Sequence, residues 1–352
     1  MSAIESTARN DTHDNAWFAV RRPRMLRTLG LLALAVVLIG LAWVSVWIGA
    51  RAVSWGDIAA ALGGETETWQ QAAVAKRLPR TALALIAGAA LAVAGASLQG
   101  VTRNPLADPG ILGINSGASL AVVAGIAWFG LASPADYAWA AMGGASITAV
   151  VVYAVGSLGS GGATPLKLAL AGAATMAALT SFITAIVLPR NDIADAARSW
   201  EIGGVGGATF ERTIQVLPFL VTGFLICLAS TRGLNLLALG DEVAAGLGER
   251  VAVTRATAAL GAVVLCGSAT ALTGPIGFVG LVVPHLCRLL LGPDYRWLLP
   301  YAALVGAGLV TAADVLGRIV ARPDEIDVGI VTAFVGAPFF IAIVRRQKVK
   351  EL

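Results

Sequence analysis

KRLPRTALALIAGAALA, residues 76–92, sets two arginines, Arg77 and Arg80, directly before a long apolar run. Apolar runs of this kind make up most of the chain. Of its 352 residues, 57% are hydrophobic and only 13% are charged, whereas soluble globular proteins carry about 25% charged residues. A chain this apolar is a membrane protein. Disorder is excluded, because disordered segments are poor in hydrophobics and rich in charge. The net charge of +4 is small. Its Lys and Arg residues gather toward the two ends, which suits the flanks of a membrane better than a nucleic-acid face.

A helix that crosses a bilayer needs about 20 apolar residues. Ten stretches qualify: 27–50, 81–102, 111–130, 137–156, 166–188, 213–231, 252–273, 277–291, 299–320 and 328–345. Loop formers separate them, as in RNPLADPG at 103–110, GSLGSGGATP at 156–165 and ARPDE at 321–325. Only helices and closed barrels satisfy their backbone in lipid. The runs lack the strict alternation of barrel strands, so the fold predicted is an all-α polytopic membrane protein with about ten transmembrane helices. Residues 1–26 lack the h-region and cleavage site of a signal peptide and read as a cytoplasmic tail. Residues 27–346 read as one transmembrane domain, and 347–352 as a second cytoplasmic tail. Ten spans place both ends on one side. With the ends inside, sixteen of the 25 Lys and Arg residues fall inside and nine outside, as the positive-inside rule favours. Arg77 and Arg80 then face outward, against the trend, either as snorkelling anchors or with an acidic partner.

Within 81–102, Ala84, Gly88, Ala92, Ala96 and Gly100 recur every four residues. A stripe of small side chains lets another helix approach closely. It fits either a pore-lining or gate helix or plain tight packing. The longest polar interruption, RGLNLLALGDEVAAGLGERVAVTR at 232–255, reads as a cytoplasmic loop over about 232–250. Asp241 and Glu242 suit the positive end of a short helix, and Gly246 and Gly248 close it. Leu239, Val243 and Leu247 give that helix an apolar face. One or two turns are not stable alone, so the helix docks either on its own bundle or on a cytoplasmic partner.

Ionisable residues inside the spans are few and are functional candidates by default. Asp314 and Arg318 stand four apart and can pair on one helix face. His285 follows Pro284 and reads as a structural histidine or as a ligand or relay. Cys227, Cys266 and Cys287 are far apart in apolar runs, with no spacing for zinc or a disulfide framework. No phosphate-cradling G-x-x-x-x-G-K-[ST], H-E-x-x-H or G-x-S-x-G occurs, so any ATP hydrolysis that drives transport belongs to another chain.

RLPR at 77–80, GASLQGVTRNPLADPGILGINSGAS at 95–119, LALGDEVAAGLG at 237–248, GPIGFVGLVVPHLCR at 274–288 and the stretch from Asp324 to Arg346 together resemble the FecCD family. These are permease subunits of type II ATP-binding cassette importers for iron–siderophore, haem and cobalamin. The resemblance runs from about residue 27 to 346. It implies ten helices per subunit and a dimer of identical or related permeases in the inner membrane, with the pathway along their interface. It also implies two ATP-binding subunits below, carrying ATP and magnesium, and an extracytoplasmic substrate-binding protein above. The permease itself binds no cofactor, metal or nucleic acid and catalyses no covalent change.

By the same resemblance, Arg77, Arg80 and Arg318 are similar to the arginines that pair with acidic residues of the binding protein. Leu239, Gly240, Asp241, Glu242, Val243, Leu247 and Gly248 are similar to the coupling helix seated in a cleft of the ATPase. Gly88, Ala92, Ala96 and Gly100, with Asn104, Pro105 and Asn115, are candidates for the pathway or its gate. Asp327 stands where the family usually has proline and is expected to face outward, near the docking surface. Gly117, Ala118 and Ser119, with WEIGGVGGATF at 200–210, look most like siderophore permeases. The expected cargo is therefore a ferric siderophore, with haem or cobalamin as the alternative. A proton-coupled secondary transporter titrating at Asp314 is a rival of a different class. An intramembrane enzyme lacks any nucleophile–base or metal pair.

Overall fold

The computed structural model describes residues 24–49, 53–105, 107–158 and 165–348, and among these every regular element is a helix. The tails expected over 1–26 and 347–352 lie largely outside the described residues. Where they are described, Arg24 already begins the first helix and Lys348 ends the last. Most of the 156–165 loop also lies outside the described residues.

All ten expected spans are present as helices. They are α1 (Arg24–Trp47), α3 (Trp69–Thr102), α4 (Ile114–Phe129), α5 (Pro134–Gly156), α6 (Pro165–Val187), α8 (Phe210–Ala229), α11 (Val251–Thr273), α12 (Val279–Leu291), α13 (Tyr295–Val320) and α14 (Val328–Lys348). Seven contain a long apolar window, while α4, α12 and α14 are shorter as apolar helices. Four short helices lie between spans: α2 (Trp55–Leu62), α7 (Asn191–Ile202), α9 (Thr231–Leu237) and α10 (Asp241–Gly246), with a 3₁₀ turn at Pro109–Leu112. Only α10 of these is visible in the apolar pattern.

Helix α3 is the main correction to the expected boundaries. It starts at Trp69, twelve residues before the apolar run, behind a capping box in which Thr68 and Gln71 satisfy each other's backbone N–H groups. Its 34 residues make a rod of about 51 Å, well beyond a hydrocarbon core of about 30 Å. The surplus turns carry Arg77 and Arg80 above the apolar zone as part of the helix. Pro79 lies inside it and costs one backbone hydrogen bond, that to the carbonyl of residue 75.

Helices α3 and α11 form the centre. The apolar window of α3 is 78% buried and that of α11 67%, whereas those of α1 and α6 are each 11% buried and leave most of their side chains on the outside of the bundle. Lipid tails are as apolar as leucine, so close van der Waals contact between backbones supplies the attraction. Gly88 of α3 and Gly306 of α13 lie so near each other that a Cβ on either would collide with the other's carbonyl oxygen. A Cβ on Gly95 would strike the backbone of Gly280, at the start of α12.

Helix α12 has 13 residues, about 20 Å, by itself shorter than a hydrocarbon core of about 30 Å. It begins beside the C-terminal third of α3, after the irregular stretch 274–278 and behind Phe278 in the left-handed conformation at φ 67°. Irregular backbone at membrane depth survives only where protein covers it, and here α3 supplies the cover. Pro284 has no N–H for the carbonyl four residues back, and Gln99 Nε2 donates to that Gly280 oxygen instead, at 3.1 Å.

Candidate functional site

At one face of the bundle, arginines close the end of α1. A helix end leaves carbonyls without partners and a partial negative charge. Arg77 Nη1 donates to the carbonyls of Val46 (3.2 Å) and Trp47 (3.1 Å). Arg318 Nη1 donates to those of Ser45 (2.8 Å) and Ile48 (3.0 Å), and its Nη2 to Ser45 Oγ (2.7 Å). Arg322 Nη2 reaches the carbonyl of Gly49 at 2.8 Å. Trp43 and Trp47 pack on Trp55 of α2 at 6.3 and 5.8 Å between ring centroids, which places an aromatic belt at this level.

Behind the cap lies a buried charge cluster. Asp314 is completely buried and Arg318 is 1% exposed. Arg318 Nη2 pairs with Asp314 Oδ2 at 2.8 Å, as the i, i+4 spacing predicts. The other carboxylate oxygen takes Arg80, Nε at 2.8 Å and Nη2 at 2.7 Å. Arg80 Nη1 goes on to Glu325 at 2.5 Å. So Asp314, on α13, holds one guanidinium from its own helix and one from α3. The three arginines expected to stand ready for a partner are not equivalent. Arg77 and Arg318 are turned inward, and Arg80 keeps 13% of its side chain exposed beside the 41%-exposed Glu325. Asp327 is exposed and lies against Gly204. Partial burial pushes its carboxyl above the usual range, and Arg80 pulls the other way. Ser45, Glu325 and Arg322 are site residues that sequence reasoning missed. ARPDE, charged and next to a span, hinted at Arg322 and Glu325, and nothing in the sequence marked Ser45.

At the opposite face, Gly240 (φ 107°) and Gly248 (φ 86°) bracket α10 in backbone shapes that disfavour side chains. Leu239, Val243 and Leu247 are 59%, 50% and 60% exposed, while Ala244 alone of the helix is buried. The apolar face is therefore not spent on its own bundle, which removes one of the two docking readings. Glu242 is exposed. Asp241 points sideways: Arg255 Nη2 donates to both its carboxylate oxygens at 2.9 Å, and Arg103 Nη2 lies 3.5 Å from Oδ1.

Between the faces, Ala84, Gly88, Ala92, Ala96 and Gly100 are all buried. Gly88 and Ala92 meet Gly306 of α13, and Gly100 meets Tyr295 and Leu234. Within the chain the stripe is thus a packing seam and not an open wall, because the small side chains that suit a pore equally admit α13. Asn115 Oδ1 accepts from Thr270 Oγ1 at 3.2 Å, joining α4 to α11. Asn104 is exposed and Pro105 half-buried in the loop after α3. His285 meets the Phe339 ring edge-on at 6.0 Å, and the three cysteines are buried free thiols. Among the described residues no cluster of His, Cys, Asp or Glu is arranged to hold a metal.

The bundle thus combines a half-length helix against its central rod, one arginine-capped face and one short helix with an exposed apolar row. The model of the FecCD transport family matches residues 34–346. The chain belongs to the FecCD transport family. This permease is 41% identical over 318 residues to the probable siderophore transport system permease protein YfiZ of Bacillus subtilis, covering 90% of this chain and 95% of the relative. It is 41% identical over 326 residues to the ferric enterobactin transport system permease protein FepD of Escherichia coli, covering 92% and 96%. Among solved structures it superimposes on a metal-chelate type ABC transporter in an inward-facing conformation. That match has a TM-score of 0.79 and 28% identity, covering 91% of this chain and 99% of the other. The FecCD permease is accordingly a multi-pass inner-membrane subunit of an ATP-binding cassette importer.

Proposed function

We propose that this FecCD permease carries a ferric siderophore across the inner membrane, as one of two identical or related permease subunits that line the pathway between them. Two ATP-binding subunits, holding ATP and magnesium, receive the α10 face on the cytoplasmic side. A substrate-binding protein delivers the cargo to the arginine face outside. The observation that carries this reading is the exposed row Leu239, Val243 and Leu247 on a helix too short to stand unsupported. The siderophore itself is inferred from the relatives named above. Both ends of the chain are then cytoplasmic, in keeping with the excess of positive charge on that side.

At the outer face we assign different tasks to the three arginines. Arg80 is the side chain within reach of an acidic residue on the binding protein, and Arg77 and Arg318 hold the end of α1 that supports it. Charge complementarity at such a rim governs orientation and encounter more than affinity. ATP binding favours one of two arrangements of the permease pair and hydrolysis the other. The chain works by preferring inward- or outward-facing states differentially.

The test is uptake of radioactive iron from a panel of ferric siderophores, with haem and cobalamin alongside, in cells with and without this gene. The expected result is loss of uptake from at least one ferric siderophore. Loss of haem or cobalamin uptake alone would keep the permease and replace its cargo. In the gene-positive cells with every residue intact, raising the ionic strength is expected to slow uptake, because screening weakens the charge-steered encounter with the binding protein.

A further inference from the structure

We propose that Asp241 is the positioning residue that passes movement of α10 to the two central helices, α3 and α11. This rests on α10 being the surface that meets the ATPase. An acid at the first position of a helix ordinarily serves the helix dipole, and Glu242 next to it is exposed and free to do so. The Asp241 carboxylate instead takes Arg255 on both oxygens at 2.9 Å and stands 3.5 Å from Arg103. Arg255 lies in the second turn of α11, and Arg103 is the residue that caps α3.

The backbone at Arg103 sharpens this assignment. It is left-handed, at φ 49°, in a capping position that usually falls to glycine. Glycine there would carry no side chain to reach α10. Arginine keeps the cap and adds a cation at the negative end of α3. Ala244 is the only residue of α10 buried against the bundle, so the lateral hold on α10 comes largely through Asp241.

A second line of contacts leaves the same segment. Asn235 of α9 donates to Asp294 at 2.8 Å and accepts from the Tyr295 N–H at 2.9 Å, at the start of α13. Arg288 of α12 lies 3.4 Å from the Tyr295 hydroxyl and donates to Gln99 Oε1. Gln99 lies in the last turn of α3, just before the cap at Arg103. The α9–α10 segment therefore grips α3 at two successive turns, directly at Arg103 and through Tyr295 and Arg288 at Gln99. The Asp241 side chain is 39% exposed, so its ion pairs contribute little to stability. Their consequence is direction: when α10 shifts, α3 and α11 are drawn with it.

The experiment uses the permease purified with its ATP-binding subunits and reconstituted in lipid. A single cysteine replaces Thr102, in the last turn of α3, and is labelled with a maleimide fluorophore with and without vanadate-trapped nucleotide. The native thiols are buried and give little background. The labelling rate in the otherwise unaltered complex is expected to change by at least about fivefold on trapping. Replacing both partners of Asp241, Arg103→Gln with Arg255→Gln, should abolish that change while the subunits still co-purify and still hydrolyse ATP, because neither arginine lies on α10. Restoring Arg255 alone should recover part of it. Retention of the full change in the double variant would overturn the proposal. So would loss of the ATP-binding subunits from it, since the two arginines would then serve the contact itself. A normal labelling response in a permease that takes up no ferric siderophore would sink the cargo assignment and leave this one standing.

Discussion

Asp314 shows how a buried charge is held in this bundle. It has no access to solvent, and each of its oxygens faces an arginine, Arg80 from α3 and Arg318 from its own helix. Removing one member of such a set leaves the others uncompensated, at a cost of about 3–5 kcal/mol. Asp314→Asn is therefore expected to lower the melting temperature of the detergent-solubilised permease sharply, together with the amount recovered in the membrane. Glu325→Gln, at the 41%-exposed outer end of the same chain of charges, is expected to cost about 0–1 kcal/mol. Thermal denaturation of the two variants side by side checks the contrast. An Asp314→Asn protein that melts like the parent would mean that this pair of arginines does not depend on the carboxylate for its burial.

Helix α3 is the element on which the other parts converge. It carries the arginines at one end, the cap that meets α10 at the other and the glycine crossings between. Gly88→Leu has no space, because Gly306 occupies the position its Cβ would need. The expected loss is about 1–3 kcal/mol or more as α3 and α13 are driven apart. Gly143 of α5 is the control: nothing lies within 4 Å of a Cβ built there. Alanine at that position is expected to be neutral or to stabilise by up to about 1 kcal/mol through helix propensity. The yield of monodisperse protein and its melting temperature would separate the two. Equal behaviour of both variants would mean that the α3–α13 seam tolerates separation.

The molecule as a whole has two working ends about a bilayer apart, and a permease needs both. Aspartate at Leu239, Val243 and Leu247 together should leave the melting temperature of the isolated permease unchanged, because these side chains touch solvent more than protein. It should abolish co-purification of the ATP-binding subunits, since three charges cannot be seated in an apolar cleft without desolvation. Co-purification at the parental level would mean that α10 is not the contact. The outer end is governed by different forces. It is built from guanidinium groups seated on helix carbonyls and on a buried carboxylate.

What the amino-acid sequence determined by itself is everything set by composition, period and local chemistry. Ten apolar runs of membrane length, the short helix opened by Asp241 and Glu242 and closed near Gly248, and the i, i+4 pair of Asp314 with Arg318 all follow from neighbours close along the chain. The five motifs between Arg77 and Arg346 were also enough to point to the family. The tertiary structure alone decided what is distant in sequence. Arg80 meets Asp314 across 234 residues, and Arg77 and Arg318 turn inward to the carbonyls of α1. A guanidinium near a helix end looks the same in sequence whether its partner is another protein or a buried backbone oxygen. The small-residue stripe carried a similar ambiguity, since small side chains are what both a pore wall and a close helix crossing require. The early start of α3 was hidden because a polar capping box outside the membrane leaves no apolar period to read. The hold of Asp241 on α3 and α11 was hidden because a carboxylate at a helix start already had a sufficient local explanation, and only packing brought Arg103 and Arg255 to it.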